Sequence, residues 1–86
     1  MTFHDDYTRI AMVLADRGVR PPCLIQGVQY IPIAFYAGCA SAGTAAPGEH
    51  VALLIQSGRR PPPSARNWRV HRITGTTVLK VNAYIR

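Results

Sequence analysis

Phe3, Tyr7, Ile10 and Leu14 recur at spacings of four, three and four, which marks one face of a 3.6-residue period. The spacing predicts an amphipathic helix over about residues 3–17. Thr2 is placed to cap it, with Asp5 three residues on in capping-box position. Asp5 and Asp6 suit the positive end of the helix dipole, and Arg17 suits the negative end. Gly18 is a natural stop, and Pro21-Pro22 forbid resumption. Asp5 and Arg9 make an i,i+4 pair on the outer face, where Met12 also falls.

After Pro22 the helical period is lost. The run CLIQGVQYIPIAFY is rich in β-branched and aromatic residues around Gln26-Gly27, which predicts a hairpin over about 23–35. Pro32 then belongs on an edge or at a bulge. Residues 37–48 are small and read as a flexible loop. HVALLIQ alternates and predicts a strand over 50–56, with Leu54 on the second face. A Pro-rich connector covers 58–66. Residues 68–74 and 77–85 predict a final hairpin around Gly75-Thr76 in a type II′ turn. The expected architecture is α+β: one N-terminal helix packed on a mainly antiparallel sheet of about five strands, a single domain over residues 1–86.

The last hairpin concentrates the candidate chemistry. A two-residue turn pairs Val70 with Val81, Trp68 with Ala83 and His71 with Lys80. The pleat then places Trp68, Val70, Leu79, Val81, Ala83 and Ile85 on a core face, with Arg72 near its turn end. Arg69, His71, Lys80, Asn82 and Tyr84 fall on the opposite face, with Arg86 at the terminus and Ile73 and Val78 as apolar intruders near the turn. Pro61 to Pro63 read as a stiff spacer that holds Arg59, Arg60 and Arg66 beside the sheet.

Charge sharpens this picture. Residues 1–50 carry four acids against three arginines, whereas residues 51–86 carry six arginines, Lys80 and no acid. That asymmetry is an electrostatic footprint. The expected partner is a nucleic acid, single-stranded where cations neutralise phosphates and Tyr84 offers a stacking face. The alternative is an acidic surface on a protein of the nucleic-acid machinery, met by a small inhibitor or regulator of the phage or mobile-element type. A solvated polar strand face is the bland counterpart to both.

WRVHRITGTTVLKVNAYIR also resembles the closing hairpin of small RelE-like toxin ribonucleases over about nineteen residues. That resemblance implies His71, Lys80 and Tyr84 as acid–base groups and the arginines as phosphate stabilisers. The family's two N-terminal helices are not matched by the single helix read here, and no catalytic residue is assigned.

The remaining composition narrows the field. His4, His50, His71, Cys23 and Cys39 lack metal-ligand spacing, and no phosphate-binding Gly-rich loop occurs, so neither metal nor cofactor is expected. An N-terminus opening with Asp5 and Asp6 does not read as a signal peptide. The uncharged span 21–48 is broken by Gln26, Gln29 and Pro32 and reads poorly as a membrane helix. The expected setting is the cytoplasm, with both thiols reduced. Eleven alanines among the 86 residues leave little volume for a core, so a homodimer or partner could supplement stability.

Overall fold

The computed structural model describes residues 3–86. Two helices and a four-stranded mixed sheet share one core. Helix α1 spans Phe3–Asp16 and buries Ile10, Ala11, Val13 and Leu14, following the predicted period. Phe3, at the start of the stripe, stays exposed. The proposed Thr2 cap lies outside the described residues. The helix closes as Gly18 predicts. Gly18 takes φ +90° and donates its N–H to Ala15 O, while Val19 N donates to Leu14 O at 2.9 Å. These are the two bonds of a Schellman motif, and they turn Val19 into the core.

Strand β1, Cys23–Gly27, follows as expected, but the second half of the predicted hairpin does not form. Tyr30–Ala37 is helix α2. Pro32 occupies the third position of the helix, where its missing N–H is one of the orphan donors in any case. Gly38, at φ +73°, and Cys39 close α2 by the same motif, with Cys39 N bonded to Ala34 O at 3.0 Å. Ile33 and Ala34 face the core. The combination of proline in the first turn and glycine just past the last was the helix signal in this segment.

Strand β2, His50–Gln56, matches its expected range. After a short 3-10 turn at Pro63–Ala65 come β3, Arg69–Arg72, and β4, Val81–Ile85. The sheet order is β1-β2-β4-β3. β1 pairs parallel to β2, and β4 runs antiparallel to both β2 and β3. The sheet is therefore mixed and has four strands rather than about five. Ile25, Ala52, Leu54, Val81, Ala83 and Ile85 form one core with Ile10, Leu14 and Ile33. Each large aliphatic side chain buried there contributes about 1.5–3 kcal/mol.

The β3–β4 register differs from the predicted one. Val70 pairs with Tyr84 and His71 with Ala83, and residues 73–80 form a wide loop in place of a two-residue turn. The shift is three residues. An odd shift inverts every side chain of β3 relative to β4. Val70 is consequently 58% exposed, Trp68 is half-buried, and Ile73 enters the core.

The sulfurs of Cys23 and Cys39 are bonded, with Cα atoms 4.8 Å apart, which corrects the expectation of reduced thiols. Ala40 N donates to Cys23 O at 2.8 Å and Ile25 N donates to Ala40 O at 3.0 Å. The start of the small-residue loop is thereby laid against β1. Among the described residues, no helix is long and apolar enough to cross a membrane.

Gly27 ends β1 opposite Leu54 of β2. It takes φ +98°, and a Cβ there would fall on the Leu54 carbonyl. That carbonyl also accepts the Val28 N–H at 2.9 Å. Gly27→Ala is expected to cost about 3 kcal/mol, from overlap and positive φ together. Urea unfolding measures it, and a loss below about 1 kcal/mol would refute the close-approach account.

Candidate functional site

Because β1, β2 and β3 share one direction, their carboxyl ends lie on a common edge of the sheet. The segments that leave this edge carry Arg59, Arg60, Arg72 and Lys80. Ser57 N donates to Lys80 O at 2.8 Å, which joins the exit of β2 to the start of β4. On one side of that junction is a cavity of about 460 Å³ lined by Ser57, Arg72, Ile73, Thr74, Gly75, Thr76 and Lys80. On the other is a cavity of about 450 Å³ lined in part by Gln56, Arg59 and Arg60.

The 73–80 loop owes its shape to Asp6. This carboxylate, on α1, is 2% exposed. Its Oδ1 accepts the Thr77 N–H at 2.8 Å, and its Oδ2 accepts those of Val78 at 2.7 Å and Leu79 at 2.8 Å. Burial favours the protonated acid, but the three N–H donors and the Lys80 ammonium outweigh it and hold the pKa below the usual carboxylate value. Lys80 Nζ donates to Thr76 O at 2.7 Å, and the Thr76 hydroxyl donates to Leu79 O. One turn along α1, Arg9 Nε donates to Thr74 O at 2.8 Å. Asp6 thus occupies a nest of backbone N–H groups. The sequence reading assigned Asp6 only to the helix dipole. Its contact lies more than seventy residues away, and no local pattern points to it.

The sequence-derived site residues separate into groups. Arg59, Arg60 and Lys80 reach the carboxyl edge together with Arg72, which the predicted register had placed on the core face. Arg66, Arg69 and Arg86 are exposed at or toward the opposite end. Arg86 Nη2 donates to Glu49 O at 3.3 Å. Arg69 and His71 lie on the helix side of the sheet, beside Ile85 and Ala83. His71 shares a small cavity with Arg17 and Arg69. Desolvation, reinforced by the Arg17 charge, pushes its pKa below the ordinary imidazole value. Asn82 and Tyr84 lie on the other side of the sheet with Val70 and Arg72. The Asn82 Oδ1 is buried there without a hydrogen-bond partner.

The single face combining Arg69, His71, Lys80, Asn82 and Tyr84 therefore does not form. His71 and Tyr84 project from opposite sides of the sheet, and the Lys80 amine is engaged by the loop. Among the described residues, no cluster of three or more metal-ligating side chains occurs. Comparison with known proteins returns no matching family model, no matching curated protein and no matching solved structure.

Proposed function

We propose that the protein binds nucleic acid through its phosphate backbone at the carboxyl edge of the sheet. The observation that supports this is that Arg59, Arg60 and Arg72 are exposed on the segments at that edge, Arg59 and Arg60 beside one cavity and Arg72 with Ser57 and Thr74 in the other. Guanidinium groups take phosphate oxygens bidentately, and exposed hydroxyls beside them can add further contacts. Phosphate contacts position a strand but read no bases, so binding is expected to be sequence-tolerant and steeply salt-dependent. Tyr84 is half-buried on a sheet face, so stacking plays a smaller part than the sequence implied.

The triple variant Arg59→Ala/Arg60→Ala/Arg72→Ala tests the reading. Fluorescence anisotropy with labelled single-stranded DNA, single-stranded RNA and duplex DNA is the measurement. The variant is expected to bind about 100-fold more weakly near 0.1 M salt, with a salt slope shallower by about 2–3. Equal slopes in wild type and variant, or no binding at low salt, would defeat the proposal and return the cations to an acidic protein surface. The Cys23–Cys39 bond argues against the expected cytoplasmic setting, because such bonds persist mainly in oxidising compartments.

A further inference from the structure

The cationic edge leaves the helical layer of the protein unexplained. Helix α2 contains no polar residue apart from two tyrosine hydroxyls, yet only Ile33 and Ala34 are buried. Phe35 is 79% exposed, Ile31 59%, Tyr36 41%, and Met12 and Phe3 on α1 60% and 46%. The aromatic members form one surface. Tyr36 stacks on Tyr7 with centroids 6.5 Å apart, Tyr7 on Phe3 at 6.1 Å, and Phe35 meets Tyr36 edge-on at 5.3 Å. Beside them runs a groove of about 370 Å³ between the helices, lined by Thr8, Ala11, Met12, Ala15, Tyr36 and Ala37. Its α1 wall is a stripe at i, i+3, i+4 and i+7.

We propose that this face is where a second copy of the chain docks, with Phe35 of each protomer seated in the α1–α2 groove of the other. Three observations select this occupant. The first is that projection and recess lie on one surface. A two-fold axis brings residue i against j and j against i, so a patch holding both is self-complementary. An apolar cavity of about 150 Å³ accepts a benzene ring, so the groove admits a phenyl side chain. The second is area. The exposed fractions of these aromatic and aliphatic side chains come to roughly 500 Å² of apolar surface per chain. A symmetric pairing removes about twice that from water, which comes to the threshold of about 1,000 Å² for a biological interface and suits a weak dimer. The third is charge. The chain carries a net +6, but residues 21–48 hold no charged side chain. Two copies meeting through α2 keep their Arg-rich segments out of the contact, whereas a nucleic acid finds no cation on α2.

Sedimentation equilibrium of the full chain tests the pairing, with far-UV circular dichroism confirming that each variant folds. Wild type is expected to dimerise with a Kd of about 1–100 µM. Phe35→Asp removes the projection and Ala15→Glu obstructs the recess. Each is expected to weaken the dimer by roughly 30-fold or more. Arg59→Ala/Arg60→Ala is expected to leave it unchanged, which separates this surface from the cationic edge. A wild type that stays monomeric to about ten times the upper Kd overturns the proposal, as does a dimer that persists in both α-face variants. A monomer that adheres to phosphatidylcholine vesicles through Phe35 also overturns it, by naming a membrane as the occupant.

Discussion

Asp6→Ala is expected to lower the free energy of unfolding by about 3–5 kcal/mol. The substitution strands the N–H groups of Thr77, Val78 and Leu79, which converge on one buried carboxylate. It also leaves Lys80 without the negative charge beside it. Asp6→Asn keeps the shape and one acceptor oxygen but turns an amide NH2 toward an N–H donor, so it too is expected to lose more than about 2 kcal/mol. The effect carries a pH signature. The folded-state pKa lies below the ordinary carboxylate value, so the unfolded chain binds the proton more readily. The carboxylate's contribution is complete above the unfolded value and declines as pH falls through the folded one. Urea unfolding of wild type and Asp6→Asn should therefore converge only in acid, below about pH 4. A variant within about 1 kcal/mol of wild type at neutral pH would show that the loop does not depend on this anchor. Because the loop lines the cationic cavity, the same substitution is expected to weaken nucleic-acid binding without removing a cation.

Reduction of the Cys23–Cys39 bond is the second large effect. The cysteines are sixteen positions apart, and closing a loop of that length in the unfolded chain is worth about 3 kcal/mol. The bond ties the start of β1 to the exit of α2, so its loss also frees the Ala40 backbone that pairs with Leu24. A domain of this size shifts by about 4–8 °C per kcal/mol, so reduction or Cys23→Ala/Cys39→Ala is expected to lower Tm by about 12–24 °C. Thermal unfolding followed by circular dichroism, with thiol release counted in parallel, measures it. An unchanged Tm after full release would show that the hydrogen bonds at Ala40 hold the segment without the sulfurs.

These two effects and the errors of the sequence reading have a common origin. Helix α1 was legible because its period and its Gly18 stop are local signals that tertiary contacts reinforce. Strand β2 was legible for the same reason. For α2, composition points the wrong way: Tyr, Ile and Phe favour strands on average, and Pro32 is compatible with a strand edge or bulge. The helix forms because its first turn tolerates proline, Gly38 and Cys39 close its end, and Ile33 and Ala34 are buried by α1 and β1. The final hairpin failed by register alone. Gly75-Thr76 is a plausible two-residue turn, but a turn shaped by its own residues competes here with a buried anion on a distant helix. The anion imposes an eight-residue loop, and the odd shift exchanges the environments of Val70 and His71.

By itself, then, the amino-acid sequence determined an α+β chain, the first helix with its end, the strand at 50–56, and the segregation of cations into the last 36 residues. Each of these follows from periodicity or from composition, which neighbours in the chain define without help. The tertiary structure alone decided that Cys23 meets Cys39, that Asp6 organises residues 77–79, and that Arg72 rather than Arg69 joins Arg59, Arg60 and Lys80. The cysteine and Asp6 contacts join groups sixteen to seventy-three residues apart, and only the packed core brings such groups within bonding distance.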